Sequence, residues 1–138
     1  MARILAVDFG RRRIGLAICD ELQLTVRGLP TLVVSNFKDS VIAVARVARE
    51  EEVRLVVVGL PLNMDGTKGE MAQTAEDFAS KLSDPCGVSI VTFDERLSSA
   101  GAKNEMQMMG IKTKKKKGVV DRLAAVLILE TYLQQIGG

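Results

Sequence analysis

The sequence predicts an α/β protein built on a mixed five-stranded sheet with helices on both faces. Its first two apolar runs are short, rich in Ile, Leu and Val, and joined by a glycine turn, which is typical of an antiparallel hairpin. Two later apolar runs lack alternation and are separated by a helical pattern, as expected of parallel strands that are covered on both faces. We therefore expect the element order β-β-β-α-β-α-β-α-α in one domain spanning residues 1–138.

The antiparallel part of the predicted sheet comes first in the chain. Arg3–Asp8 and Ile14–Cys19 form the predicted hairpin, with its turn at Gly10. A further β-rich segment, Leu22–Val34, predicts a third strand that is interrupted near Gly28. These three segments account for the hairpin part of the sheet.

Helices and two more strands complete the predicted fold. The spacing of apolar residues predicts helices at Asp39–Glu52, from about Gly69 to Leu82, after Ser99 to about Met109, and at Val119–Gln135. The strands Arg54–Gly59 and Val88–Phe93 lie between them. Ser35-Asn36 offers an N-cap for the first helix, and we expect Pro85 and Gly87 to end the second.

The composition is that of an ordinary soluble globular protein, with 47% apolar and 26% charged residues. The net charge is only +2, so any basic surface must be local. No apolar run reaches the roughly 20 residues that a membrane span needs, and no signal peptide precedes the first strand. The two cysteines, Cys19 and Cys86, lack metal-ligand spacing and are expected to be small buried hydrophobes. We therefore expect a cytoplasmic protein.

The chain contains no histidine. This excludes Ser-His-Asp and Cys-His nucleophile systems, histidine-containing zinc sites and histidine general acid–base catalysis. Any enzymatic chemistry must therefore come from carboxylates, lysines, hydroxyl groups or a hard metal ion.

Three acidic residues are expected at one edge of the sheet. Asp8 ends the first strand, Glu95 follows the last strand beside Asp94, and Asp121 lies in the predicted first turn of the final helix. Sites in open α/β sheets form at the carboxyl ends of the parallel strands. Three acids gathered there cannot all stay ionised without a counter-cation, and Mg²⁺ or Mn²⁺ is the hard cation that suits carboxylates and phosphate. Two such ions about 3.5–4 Å apart would support phosphodiester hydrolysis without histidine.

Each of these acids also has an ordinary structural interpretation. A carboxylate within an apolar run is costly unless it is paired, so Asp8 needs an arginine from the turn, a metal ion or a set of hydrogen bonds. Asp121 could complement the helix dipole, and Glu95 with Arg96 could begin a helix as an exposed ion pair. The sequence leaves these alternatives open.

Basic residues could hold a nucleic-acid backbone beside the acids. The predicted contacts are Arg11, Arg12, Arg13, Arg96, Lys114, Lys115, Lys116 and Lys117, the last four from a cluster that begins at Lys112. Binding through such residues weakens steeply with salt, and an aromatic content of only 4% favours backbone recognition over base stacking. The ordinary interpretations are a plain hairpin turn and a solvated lysine loop. The loop Gly59–Thr67, which precedes a helix amino end, could likewise hold an anion or be a plain turn.

Four motifs occur in one order along the chain. They are Leu5–Gly10 with Ile14–Ala17, Val58–Thr67, Phe93–Ser98, and Val120-Asp121 with Ala124–Tyr132. On these motifs the sequence closely resembles the YqgF/RuvX family of Holliday junction resolvases and pre-16S rRNA processing nucleases. The resemblance covers essentially the whole chain.

The resemblance implies an RNase H-like fold, in which the first three strands pair antiparallel and the first, fourth and fifth pair parallel. It also implies that Asp8, Glu95 and Asp121 are the catalytic acids and metal ligands. One departure from the wider RNase H pattern concerns the end of the fourth strand, where those enzymes carry an acid and this chain has Gly59-Leu60-Pro61. Glu95, one strand further out, would have to replace that acid.

The sequence and the resemblance together favour a metal-dependent endonuclease. Its expected substrate is structured RNA, namely the 5′ end of precursor 16S rRNA in ribosome biogenesis. A four-way DNA junction is the alternative and calls for a two-fold dimer, so we expect a monomer or a homodimer. A second hypothesis is a non-catalytic nucleic-acid-binding assembly factor. A third treats Asp8–Gly10 and Gly59–Pro61 as nucleotide phosphate loops, as in actin-like and sugar-kinase ATPases, but 138 residues leave no room for a second lobe.

Overall fold

A computed structural model of the protein describes residues 2–98 and 114–137, which form a five-stranded sheet flanked by helices. The strands are β1 Ile4–Asp8, β2 Arg13–Cys19, β3 Val26–Val33, β4 Leu55–Leu60 and β5 Ser89–Asp94. The helices are α1 Phe37–Glu50, α2 Glu70–Cys86 and α3 Lys114–Gly137, and a 3₁₀ turn spans Glu95–Leu97. The helix predicted up to about Met109 lies outside the described residues, as does Lys112.

The strand order is β3-β2-β1-β4-β5, with β1 at the centre. β2 pairs antiparallel with both β1 and β3, while β1 pairs parallel with β4 and β4 with β5. This confirms the predicted mixed sheet. Because β1, β4 and β5 run in the same direction, their last residues, Asp8, Leu60 and Asp94, lie at one edge of the sheet.

The two faces of the sheet are covered by different helices. Leu5 and Val7 of β1 belong to a cluster that contains α1 and α2 residues, among them the fully buried Phe78. Ile4 and Ala6 point the other way and belong to a cluster that contains residues of α3. Since side chains alternate along a strand, Asp8 lies on the same face as Ile4 and Ala6. The edge carboxylate therefore faces α3.

The first helix begins where the sequence predicts it. The side chain of Asn36 accepts a hydrogen bond from the backbone N–H of Asp39 at 2.8 Å, as an N-cap residue does. Cys19 and Cys86 are also as predicted, because both are free and buried. Burial raises the pKa of both thiols.

The second helix continues further than expected. Pro85 does not end it, and α2 runs on to Cys86 before Gly87 closes it with a left-handed backbone at φ 70°. A proline in the last turn removes only one intrahelical hydrogen bond, so a helix that ends one residue later tolerates it. The prediction for Gly87 is confirmed, and the prediction for Pro85 is wrong.

The last helix begins earlier than expected. It starts at Lys114 rather than Val119, so the run Lys114–Lys117 is helical and not a loop. Lysine is a good helix former, and a single interior glycine such as Gly118 costs only about 1 kcal/mol. Asp121 consequently lies about two turns inside α3 instead of in its first turn. None of the helices within the described ranges has the length and apolar character needed to cross a membrane.

Candidate active site

Asp8 lies between two glycines in a row that crosses the sheet. Gly15 of β2 pairs directly with Asp8. On the other side of β1, Val7 pairs with Val58 of the parallel strand β4. The residue of β4 that lies beside Asp8 is therefore the next one, Gly59. Gly59 pairs in turn with Phe93 of β5. Asp8 is only 4% exposed. The row therefore places a buried carboxylate between two residues that have no side chain.

The helix α3 fills the space above Gly15. A Cβ atom on Gly15 would lie 2.1 Å from the backbone carbonyl oxygen of Asp121, which is closer than any real contact. Only glycine therefore allows α3 to approach β2 at this point. The close approach buries Asp121, which is 3% exposed, beside the strand residue that pairs with Asp8.

The side chain of Glu95 fills the space above Gly59. A Cβ atom on Gly59 would lie 3.0 Å from Cγ and 3.1 Å from Cδ of Glu95, and 2.8 Å from Cδ1 of Ile128. Glu95 thus reaches back from the turn after β5 and lies over the end of β4. This is the strand end at which the RNase H pattern has an acid and this chain has glycine.

The three predicted acids therefore lie around one row of the sheet, and each of them has an interaction partner. The nearby arginine of β2 is paired with Asp121, since Nε of Arg13 donates to Oδ2 of Asp121 at 3.2 Å. Helix-dipole complementation does not explain Asp121, because that effect fades within the first turn. Across residues 2–98 and 114–137, no three acidic or cysteine side chains are grouped closely enough to hold a metal ion.

Glu95 sits in a turn that is fixed by its two neighbours. Asp94 caps the 3₁₀ turn by accepting a hydrogen bond from the backbone N–H of Arg96 at 2.9 Å, and it also binds the Arg96 guanidinium. The hydrogen bond from Arg96 lowers the pKa of the Asp94 carboxyl group below its usual value. Arg96 thus pairs with Asp94 rather than with Glu95 as the sequence suggested, and the Glu95 side chain lies against Gly59.

The loop between β4 and α2 is stabilised by hydrogen bonds among its own residues and is hydrogen-bonded to this turn. Asp65 accepts hydrogen bonds from the backbone and hydroxyl groups of Thr67 at 3.0 and 2.6 Å, and these bonds lower the pKa of Asp65. Asn63 donates to the Thr67 hydroxyl group at 2.9 Å. Arg96 completes the connection by donating to the carbonyl oxygen of Met64 at 3.1 Å. A partner so distant in sequence gives no local signal, so sequence reasoning did not find this link.

The predicted phosphate-binding arginines differ in what they contact. Arg11 pairs with Glu70 at the start of α2, Arg13 with Asp121, and Arg96 with Asp94. Arg12 is exposed, and its side chain forms no ion pair with any residue of the described chain. For Lys114, Lys115, Lys116 and Lys117 the structure gives a helical backbone, and their side chains lie outside what it describes.

The donor set suits a hard divalent cation in its chemistry. Asp8, Glu95 and Asp121 offer only carboxylate oxygens, which Mg²⁺ and Mn²⁺ prefer. Two of the three are almost fully buried, where a carboxylate requires a compensating charge or hydrogen bonds. In the present arrangement Arg13 supplies that charge to Asp121. Binding of a metal ion by all three acids would therefore require Asp121 to exchange Arg13 for the cation.

The strand order defines the fold of the protein. The sheet has the RNase H-like arrangement, and solved structures with this fold include Thermus thermophilus RuvC in complex with a Holliday junction substrate. That structure has a TM-score of 0.59 and 17% identity, and the match covers 99% of this chain and 97% of RuvC. The fowlpox virus Holliday junction resolvase matches with a TM-score of 0.53 and 15% identity, over 97% of this chain and 99% of the resolvase.

The chain belongs to the RuvX family, whose model is described as "Holliday junction resolvase" and matches residues 2–135. A relative from Anaeromyxobacter dehalogenans is 45% identical over 96% of this chain and 97% of its own length. One from Ruminiclostridium cellulolyticum is 42% identical over 99% of this chain and 96% of its own length. Both are described as "Putative pre-16S rRNA nuclease". By this membership the chain is a nuclease, an enzyme that hydrolyses phosphodiester bonds.

Proposed function

We propose that the protein is a metal-dependent endonuclease that matures the 5′ end of precursor 16S rRNA, with Asp8, Glu95 and Asp121 as its catalytic acids. The observation that carries the proposal is the position of Asp8 between Gly15 and Gly59. These glycines leave room for Asp121 on one side and for the Glu95 side chain on the other. Any larger residue at either position would separate the acids.

The three acids would hold Mg²⁺ or Mn²⁺. When bound, such an ion supplies the Lewis acidity that activates a water molecule and stabilises the oxygen that leaves the phosphorus. Asp8 would be one ligand, because it is fixed in the middle strand of the sheet. Asp121 would have to release Arg13 to be a second ligand, and Glu95 would take the place of the acid that is missing at the end of β4. The buried side of the site under α3 keeps bulk water away from Asp8 and Asp121.

Arg12 and the helical lysines Lys114–Lys117 are the proposed contacts to the nucleic-acid backbone. Arg12 is exposed on the hairpin turn directly after β1, at the edge of the sheet where Asp8 ends. The lysines occupy the start of α3, about one turn or more before Asp121. Contacts of this kind position the substrate without reading its sequence, and they make binding dependent on salt concentration.

Precursor rRNA is the substrate we favour, because relatives that are 42–45% identical over nearly the whole chain carry that description. This reaction would place the protein in the cytoplasm. A four-way DNA junction is the second candidate, favoured by the description of the family model and by the junction-bound structure of the same fold. Cleavage of a junction at symmetric positions would need a two-fold symmetric dimer.

The experiment that tests the proposal compares the parent protein with Asp8→Asn on a labelled precursor 16S rRNA 5′ segment and on a synthetic four-way DNA junction. Each substrate is incubated with Mg²⁺, with Mn²⁺ and with chelator. We expect metal-dependent cleavage by the parent and none by Asp8→Asn, which keeps the size of the side chain but removes the charge that binds the metal. Nucleic-acid binding and the thermal melting curve should be nearly unchanged.

The matched control is Asp77→Asn, the same substitution at an exposed position of α2 on the opposite face of the sheet. It should cleave as the parent does. Cleavage by Asp8→Asn at the parent rate would refute the assignment of the site. Salt-sensitive binding of both substrates by the parent, with cleavage of neither under any metal condition, would favour the non-catalytic assembly factor instead.

A further inference from the structure

We propose that Arg96 is a positioning residue that fixes Glu95 for catalysis, and that its partners in this role are Asp94 and the backbone of Met64. The inference rests on the proposed function, because it gives Arg96 a purpose only if Glu95 takes part in cleavage. The competing interpretation is the one that the sequence suggests, in which Arg96 binds a phosphate of the substrate.

All three nitrogen atoms of the Arg96 guanidinium are used within the protein. Nε lies 3.1 and 3.0 Å from the two carboxylate oxygens of Asp94, and Nη2 lies 2.7 Å from Oδ2 of the same residue. Nη1 donates to the Met64 carbonyl oxygen at 3.1 Å. A phosphate that approached this guanidinium would meet the negative charge of Asp94 at the same place. The geometry therefore suits a structural role better than an anion site. We call Arg96 and its two partners, the Asp94 carboxylate and the Met64 carbonyl oxygen, the clamp.

The residues on both sides of Glu95 fix the position of its backbone. Asp94 and Arg96 flank it, and the Asp94 carboxylate also accepts the backbone N–H of Arg96. On the far side of the turn, the backbone and hydroxyl groups of Ser98 both donate to the Glu95 carbonyl oxygen at 3.1 Å. The backbone of Glu95 is thus held on both sides. Its side chain can then extend over Gly59 in a defined direction.

Arg96 also links the two loops that leave neighbouring strands. Its bond to Met64 joins the turn after β5 to the loop after β4, which is itself braced by Asn63, Asp65 and Thr67. Gly66 closes that loop with φ 88°, and the Arg96 guanidinium lies against it. Movement of either loop would carry Glu95 away from Asp8. A shift of about 1 Å in a catalytic group can lower a rate by about 100-fold, so the clamp matters for the chemistry.

The test removes, one at a time, the positive charge of Arg96 and the negative charge of Asp94. If Arg96 positions Glu95, then Arg96→Gln and Asp94→Asn should lower kcat by similar factors, about 10-fold to 100-fold. Neither should change KM or the slope of binding affinity against salt concentration. If Arg96 binds phosphate, Arg96→Gln should weaken binding and reduce the salt slope by about 1, whereas Asp94→Asn should tighten binding. The two interpretations therefore predict different results for Asp94→Asn, namely a lower kcat with unchanged binding or a tighter binding of nucleic acid.

Three further comparisons sharpen the result. Arg96→Lys keeps the charge but cannot reproduce the forked contacts, so it should fail to rescue kcat, although a phosphate-binding residue would be largely rescued. Arg12→Gln should instead weaken nucleic-acid binding and reduce the salt slope by about 1. Calorimetric titration of Mn²⁺ into the protein without nucleic acid should show weaker binding for Arg96→Gln and Asp94→Asn than for the parent and Arg12→Gln.

The outcomes separate this inference from the proposed function. If Asp8→Asn is inactive while Arg96→Gln keeps the parent kcat, the clamp is wrong and the site stands. If Asp8→Asn cleaves normally, the proposed function fails whatever Arg96 does. Both clamp residues are partly exposed, so the variants should fold, and circular dichroism with thermal melting checks this. Should Arg96→Gln fail to fold, Asp94→Asn alone decides between the two interpretations, by whether kcat falls or binding tightens.

Discussion

The face of the sheet under α1 and α2 is packed mainly with large apolar side chains, whereas the face under α3 combines several alanines with large residues such as Phe93 and Ile128. Under α1 and α2, Phe78 is fully buried and its ring centroid lies 4.6 Å from that of Phe9. Under α3, the buried residues include Ala6 and Ala17 of the sheet. Ala124 and Ala125 of the helix belong to the same cluster. The two faces have the same strands but different chemistry.

The difference shows how one sheet can provide both stability and a site. Large side chains on the first face bury much apolar surface. Small residues on the second face let α3 come close enough for its backbone to lie over Gly15. The close approach brings Asp121 to the buried edge where Asp8 lies. We therefore expect substitutions on the two faces to separate stability from catalysis, and three variants test this from the largest effect on unfolding to the smallest.

Phe78→Ala should have the largest effect on stability. Removing a fully buried phenylalanine leaves a cavity and should lower the free energy of unfolding by about 3–5 kcal/mol. The site lies on the other face of the sheet, so kcat of the folded protein should remain near the parent value. Urea denaturation measures the first quantity, and cleavage assays at a temperature where the variant is folded measure the second. A large loss of kcat in the folded variant would contradict the separation of the two faces.

Arg13→Gln should have an intermediate effect that depends on the metal. In chelator it removes the charge that Arg13 supplies to the buried carboxylate of Asp121 and should lower the free energy of unfolding by about 1–3 kcal/mol. Mg²⁺ should restore part of this loss, because the cation replaces the guanidinium as the partner of Asp121. The matched control is Arg27→Gln, which removes an exposed arginine from a pair with Glu51 and should show no dependence on Mg²⁺. An equal loss with and without Mg²⁺ would mean that Asp121 does not bind the metal.

Much of the fold could be predicted from local sequence patterns. The hairpin, the unalternating strands and the Asn36 cap each depend on residues that are close together in the chain, and the structure contains them all. The errors fall at helix ends. Lys114–Lys117 has a composition typical of solvated loops, although lysine also favours helices, and Pro85 is tolerated because it lies in a last turn.

The contents of the site were harder to predict because they depend on distant pairs. A buried strand-end acid such as Asp8 is visible in the sequence, since its apolar neighbours make it exceptional. The sequence does not show that Arg13 pairs with Asp121, 108 positions away, or that Arg96 bonds to the carbonyl oxygen of Met64. Basic residues that look alike in the sequence can therefore have different roles, and their partners in the structure distinguish these roles. The glycine at the end of β4, which departs from the RNase H pattern, proves to be the residue that Glu95 covers.

Gly59→Ala should change stability least, yet it should reduce catalysis. The new Cβ would meet Cδ1 of the fully buried Ile128 and the side chain of Glu95, which is only partly buried and can move aside. Alanine also lowers the entropy of the unfolded chain, which offsets part of the cost. The net change in the free energy of unfolding should thus stay within about 1 kcal/mol. Glu95 cannot keep its position, however, so kcat should fall by about 10-fold or more.

The control for Gly59→Ala is Gly28→Ala on the edge strand β3, where the new Cβ would meet the side-chain stem of Arg122 at 2.2 Å. That stem belongs to an exposed, flexible residue and can move without disturbing an acid. Gly28→Ala should therefore cleave as the parent does. If both alanine variants cleave equally well, cleavage does not require Glu95 to lie over Gly59. Glu95 would then not be the replacement for the acid that is missing at the end of the fourth strand. If only Gly59→Ala is impaired while both remain equally stable, the space above that glycine is where this chain places its third acid.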